Sequence, residues 1–468
     1  MLFEKINLWM LNKMSGATSQ MGTKARSLIV LVCCMIVGAI FSFDPQSIYD
    51  TRRMIVLSLV TLVITVMYAD GEIRPAKWNK LIILSIELFA LLMIVIRALH
   101  PVGQGYLIYA FDILIVFPVL YTAVLKTSKY VHFIDLLTCA ILLSGVACYI
   151  AGLFLAHGEN ERVFFGRIAG VAENPNYYGM IGLVMVMSGL YIMVRRHTNL
   201  ALTTLIAVCI GIGISMTMAA ISRTAMLASL GCAAVFVIYM IRWIKKARSV
   251  ESRYSRSLSK DLIMFVLFVL VVALSAIGSL KMQQIVYLEK QIDNNVSKSI
   301  GTIVQIAYAE DGLKEQDEED LDAIKNRFSV DTDLNSFSSG RLVIWQMYLE
   351  RLNFLGNDYE AISEDGDFAM MRESRAHNNM LDYAFRFGIP AGLLYCVFYI
   401  AILIRAASMA FRKKTFDACD MWVVMTVAAY ALYAMIEIAT LPFTRYIPCL
   451  FFLSAAPLMC SREEDQDS

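Results

Sequence analysis

RWIKKARSVESRYSRSLSK (Arg242–Lys260) runs almost directly into LIMFVLFVLVVALSAIGSL (Leu262–Leu280), with only Asp261 between them. The second stretch carries no charge and has the length a helix needs to cross a bilayer core, roughly 17–25 residues. The first is a block of Lys and Arg, and such blocks stay on the cytoplasmic side of a span. One boundary thus sets both the class of the protein and the direction of its chain. The remaining sequence agrees. Of 468 residues, 58% are hydrophobic and 17% charged, with a mean hydropathy of +0.60. A soluble domain carries about a quarter charged residues. An all-α polytopic membrane protein is expected, because an open strand cannot satisfy its backbone in lipid. The net charge of +1 gives no sign of a nucleic-acid partner.

About twelve transmembrane helices are expected, at 28–43, 54–69, 81–99, 106–125, 134–156, 177–194, 200–219, 224–241, 262–280, 388–411, 421–439 and 446–459. With the N-terminus inside, the Lys and Arg residues near 5–26, 74–80, 126–129, 195–196, 242–260 and 412–414 fall in the cytoplasm. The opposite short loops hold only Arg52, Arg53, Arg162, Arg167, Arg223 and Arg445. This divides the chain into an N-terminal membrane region (1–280, about nine spans), one large extracytoplasmic loop (281–387), a C-terminal membrane region (388–460, about three spans) and an acidic cytoplasmic tail (461–468). Residues 1–27 read as a mildly basic, mixed stretch with no secretory signal peptide. Neither an internal repeat nor a Gly-rich nucleotide loop is found. The 10 Cys residues show no metal-ligand spacing and read as small packing residues.

The large loop opens with an acidic run, Glu310–Phe328, which reads as a solvated helix face. A calcium loop is the alternative, although the run lacks EF-hand spacing and its Gly. In SSGRLVIWQMYLERLNF (Ser338–Phe354), Leu342, Trp345, Leu349 and Leu352 recur at helical spacing. A short amphipathic helix lying on the membrane is expected, capped by Ser338 or Ser339. A second covers HNNMLDYAFRF (His377–Phe387), with Met380, Leu381, Ala384 and Phe385 on one side and Asp382 and Arg386 on the other. Gly388 and Pro390 mark a bend into the next span.

The residues suited to chemistry lie on the outer side. Asn176 in AENPNYYGM (Ala172–Met180) can cap a helix after a Pro-fixed turn, or face a sugar. Arg223 in ISRTAMLASL (Ile221–Leu230) can snorkel to lipid phosphate, or clamp a diphosphate with paired donors. Arg341 stands at a helix start, where unpaired N–H groups favour phosphate. His377 can be an exposed or capping residue, or accept a proton near neutral pH. Asn378 beside it is a candidate substrate contact. Glu87, Arg97, Asp112 and Glu437 are charges within or near spans, and such residues are either structural pairs or functional. Asp112 can pair with an Arg of another helix. Glu437, followed by TLPFTR (Thr440–Arg445), can face the same cavity as His377.

The order ENPNYYG, SRTAML, SSGRLVIW in a large outer loop, then AHNNMLDYAFRFGIPAG resembles the O-antigen ligase/polymerase family, over about residues 165–410. The resemblance implies a GT-C-like membrane glycosyltransferase at the outer face of the cytoplasmic (inner) membrane, with both termini inside. It implies transfer of glycan from undecaprenyl diphosphate, with no cofactor, nucleotide sugar or metal. Implied partners are the polyprenyl-diphosphate-linked oligosaccharide, membrane lipids, a flippase and a chain-length regulator. An Arg-x-x-x-Leu motif matches Arg223–Leu227. A His-Asn-x9-Gly-x-x-Gly motif matches His377, Asn378 and Gly388, but Ala391 stands at the second Gly, and Gly392 follows. That departure favours a polymerase of repeat units over a ligase that moves finished polymer to lipid A core or another acceptor. Taken together with the reading of the residues, this resemblance gives an expectation in which Arg223 and Arg341 hold the diphosphate, His377 acts as base, and Asn176, Asn378 and Glu437 contact substrate. The reading from a different class is a transporter or flippase of polysaccharide precursors.

Overall fold

The computed structural model describes residues 2–18, 20–43, 51–70, 76–99, 105–154, 168–172, 174–195, 200–250, 266–286, 341–357, 376–437 and 442–461. Eleven helices among them are long and apolar enough to cross a membrane. In chain order, following a first helix α1 (Leu2–Thr18), they are α2 (Thr23–Phe43), α3 (Thr51–Tyr68), α4 (Lys80–Leu99), α5 (Tyr106–Ala123), α6 (Thr127–Phe154), α7 (Pro175–Arg195), α8 (Leu200–Ala219), α9 (Arg223–Val250) and α10 (Val266–Val286). The short α11 (Arg341–Glu350) and α12 (Asn379–Phe387) precede the last two spans, α13 (Ile389–Phe411) and α14 (Ala418–Ile436). The chain is therefore a multi-pass, helical membrane protein.

Close packing follows from small residues. Helices α7 and α8 meet where Gly182 and Gly213 face each other, and a Cβ on either would run into the other's carbonyl. Glycine at such a crossing lets two backbones approach, and van der Waals contact replaces the hydrophobic drive that lipid cannot supply. All ten thiols are free and buried or half-buried, as packing residues should be.

The twelfth expected span is not one helix. It is two short helices, α15 (Tyr446–Ser454) and α16 (Ala456–Met459), broken at Ala455. Pro457 has no N–H to continue the ladder. Such a break survives at membrane depth only inside protein, and every residue from Tyr446 to Met459 is buried. Partners come from neighbouring helices: Tyr121 donates to the Phe452 carbonyl and Tyr130 to the Ser454 carbonyl, each at 2.7 Å. Beyond it, Cys460–Ser461 pairs antiparallel with Lys77–Trp78, so the end of this segment lies beside the loop before α4.

Four further expectations are corrected. Residues 2–18 form α1, packed on α3 and α5 through the buried Leu11, where composition shows only a mixed stretch. The helix before the large loop spans Val266–Val286, running past the expected end of that span at 280. Asp112 takes its hydrogen bond from Ser58 Oγ at 2.6 Å, not from an Arg. It sits in a π-helical turn, Asp112–Val116, inside α5, just ahead of Pro118. Asp382 and Arg386 are not on an exposed side: both are buried, paired at 3.1 Å, with Arg386 Nη1 donating to Tyr106 at 2.8 Å. Their helix is wedged between membrane helices, so an ion pair that local pattern assigns to solvent becomes a tie to α5.

The bend at Gly388 is present. Its φ is +86°, and its missing Cβ leaves room for the Phe354 carbonyl. Asn357 N donates to Phe385 O, and Ile389 N to Asn353 O, which fastens 353–357 to the hinge. The acidic run 310–328, Ser338 and Ser339 lie outside the described residues.

Candidate functional site

Glu437 is the C-cap just beyond α14, and its carboxylate is the meeting point of four chain segments. Arg341 Nη2 donates to Glu437 Oε1 at 2.8 Å. Thr224 Oγ1 donates to the same oxygen at 3.2 Å. His377 Nδ1 lies 3.5 Å from Oε2, an ion-pair distance that is long for a hydrogen bond. Arg341 and Thr224 come from the first turns of α11 and α9, and His377 precedes α12. The carboxylate side chain is mostly shielded, at 16% exposure. Burial pushes its pKa up, but His377, the Arg341 guanidinium and the Thr224 hydroxyl pull it down harder, leaving it below the ordinary glutamate value.

Helix starts are set by local chemistry. Asn378 is the N-cap of α12, its side chain accepting from Leu381 N at 3.2 Å. Its amide nitrogen rests 4.0 Å from Met435 Sδ. Asn378 rather than His377 is thus the cap, and the imidazole is left for Glu437. At α7 the cap is Asn174, not Asn176: Pro175 takes the first helical position, and Asn174 Oδ1 accepts from Asn176 N at 2.9 Å. In α11, Trp345 Nε1 donates to Ala376 O at 2.6 Å, and Tyr348 packs on Phe385 beside Ala376. Leu342 and Leu349 of the expected stripe stay exposed, while Ile344, Tyr348 and Leu352 face inward. So α11 leans on α12 and carries Arg341 to Glu437.

The backbone is strained around this point. His377 has φ +48°, Ile221 +43° and Phe443 +64°. Non-glycine residues rarely adopt this region, and a β-branched one such as Ile hardly ever does. Each stands at or within two residues of a charged candidate: His377 itself, Arg223 and Arg445. Such strain gathers where a site is over-determined by its surroundings.

Four of the expected residues therefore lie at or beside one carboxylate: Arg341 and His377 against it, Asn378 next to His377, and Arg223 next to Thr224. Asn176 adjoins Tyr177, whose ring lies 3.9 Å from the Arg445 guanidinium carbon. Arg445 is buried and acts electrostatically on Glu437. Thr224, Tyr177 and Arg445 are site residues that sequence reasoning missed. The signal for Arg445 was present: a cation in an otherwise cation-poor loop, eight residues after Glu437. Tyr433, one helical turn before Glu437, is also buried, and its hydroxyl has no hydrogen-bond partner among the described residues.

Chemically, the carboxylate can orient the imidazole. With Nδ1 turned to Glu437, Nε2 is the nitrogen left to accept a proton from a substrate hydroxyl. Arg341 spends one guanidinium nitrogen on Glu437, and its fork retains donors for an anion. A base beside fixed positive charge suits attack by a hydroxyl with departure of an anionic group. No protein-family model matches the chain, and no curated protein matches it.

Proposed function

We propose that the chain is a membrane glycosyltransferase that polymerises undecaprenyl-diphosphate-linked oligosaccharide repeat units into a surface polysaccharide, such as an O-antigen, capsule or exopolysaccharide. The reaction takes place at the outer face of the cytoplasmic membrane. The observation that carries this reading is the convergence of Arg341, His377 and Thr224 on Glu437 from segments far apart in sequence.

His377, aligned by Glu437, takes the proton from the acceptor hydroxyl as its oxygen attacks the anomeric carbon. The bond to the carrier diphosphate breaks, and that diphosphate leaves as an anion facing Arg341 and Arg223. A single direct displacement inverts the anomeric centre. Removing water and fixing positive charge at the leaving group is how such a site accelerates the reaction without forming a covalent intermediate.

The test is chain growth by the purified protein on its lipid-linked repeat unit. A ladder on the carrier lipid that disappears in Arg341→Ala and His377→Ala supports the proposal. Undiminished ladders in both variants refute it. Transfer to a different acceptor, with no ladder, points to a ligase instead.

A further inference from the structure

The opposite end of α14 holds a second feature, with no part in the chemistry above. A cavity of about 460 Å³ opens where α7 and α9 end and α14 begins, lined by Arg195, Arg242, Trp243, Lys414, Phe416 and Asp417. Three cations face one carboxylate, and that carboxylate is already engaged: Asp417 caps α14, accepting from Asp420 N at 2.8 Å. Arg242 donates to the carbonyls of Ala410, Lys413 and Lys414, which hold no net charge. Among the described residues, neither Arg242 nor Lys414 has a carboxylate partner, and Arg195 reaches Asp135 only at 3.8 Å. The cavity therefore has positive charge in excess, half-shielded from water.

Its depth identifies the ligand. Helix α14 has 19 residues, or about 28 Å at 1.5 Å per residue. A bilayer's hydrocarbon core is about 30 Å thick. If Glu437 sits at one membrane surface, the cavity sits at the other, at headgroup level. Trp243 on its wall is the kind of side chain that prefers this interface. The Arg242 guanidinium carbon stands 5.5 Å from the Phe416 ring, within cation–π reach.

We propose that this cavity binds the phosphate of an anionic phospholipid, with the acyl chains running along α7 and α9. Basic pockets between spans on the anionic leaflet bind lipids in this way, each cation near the surface adding roughly fivefold in affinity. The inference does not depend on glycosyl transfer.

Trp243 provides the readout. The full-length protein is placed in vesicles containing brominated phosphatidylglycerol or brominated phosphatidylcholine, and tryptophan quenching is measured. Subtracting the Trp243→Phe signal isolates the cavity. Excess quenching by the anionic lipid is expected, with an apparent affinity about ten- to thirtyfold weaker in the double variant Arg195→Gln/Lys414→Gln. Both of those side chains can be neutralised without touching the Arg242 brace on the 410–414 turn. Equal quenching by the two lipids, or no change in the double variant, overturns the proposal. Protection of Trp243 by millimolar inorganic phosphate as complete as that by unbrominated phosphatidylglycerol also overturns it, and assigns the cavity to a soluble phosphate compound.

Discussion

Arg341 and Glu437 are 96 residues apart in sequence and joined at 2.8 Å. The contact pins the short helix α11 onto the end of α14. Both side chains are largely shielded, so removing one leaves the other poorly solvated, at a cost of about 1–3 kcal/mol. Glu437→Gln should lower thermal stability by that amount and reduce chain growth by roughly a hundredfold, the scale of lost base alignment. Because the two residues share one bond, the stability losses of Arg341→Gln and Glu437→Gln should be non-additive, with the double variant unfolding close to either single one. Additive losses in unfolding would show that the bond contributes nothing.

His377 carries two demands at once, a chemical one and a conformational one. Its φ of +48° is tolerated by Asn far better than by a β-branched residue. His377→Asn should therefore fold with a melting temperature near wild type but lose about 10²–10⁴-fold in rate. His377→Val should lose both, through about 1–3 kcal/mol of backbone strain. Parallel melting curves and single-turnover rates separate the two effects. A fully active Asn variant removes the imidazole from the mechanism.

Much of the fold could be read directly because hydropathy is a local property. Each span from Thr23–Phe43 to Ala418–Ile436 announces itself in its own residues, as does the bend at Gly388. What could not be read depends on neighbours. The break at Ala455 is masked by the strongly apolar run of 446–459, although Pro457 lies just after it, and the Tyr121 and Tyr130 hydroxyls reveal how it is tolerated. Asp382 and Arg386 look solvated at i,i+4 until Tyr106 closes over them. Of the site, Arg341, His377 and Glu437 were each recognisable as misplaced polar residues. A cavity shared by Glu437 and His377 can be read from the residues, but the meeting of Arg341 and Thr224 on the same carboxylate cannot, since Thr224 and Glu437 are 213 positions apart. Cap assignments failed by one or two residues, because Pro175 and the strained His377 move the first helical turn.

Gly388 and Gly392 have separate reasons to lack a side chain. At Gly388 a Cβ would strike the Phe354 carbonyl, and its φ of +86° penalises any other residue. At Gly392 a Cβ would strike Ala384. Ala391, between them, is buried in regular helix. Gly388→Ala should therefore destabilise by at least about 1–3 kcal/mol and loosen the hinge that carries His377. Ala391→Gly should cost only about 1 kcal/mol, as in any helix interior. Thermal unfolding and proteolysis within 353–357 give the ranking. Equal effects at both positions would mean that the hinge contact is unimportant.

Acid should weaken the site in a defined direction. The folded-state pKa of Glu437 lies below its ordinary value of 4.5. A carboxyl depressed in the native state adds stability that is fully present above the unfolded value and is lost as pH falls through the folded one. The groups facing it are Arg341, Thr224 and His377, with Arg445 acting from the segment before α15 and Tyr433 from the last turn of α14 itself. Glu437→Gln should lower the melting temperature near neutrality relative to wild type. That deficit should shrink steadily as pH falls below the ordinary carboxylate range and the ionised form is lost. A deficit that grows on acidification would mean that the native state prefers a protonated Glu437, and Arg341 could not then be held by charge.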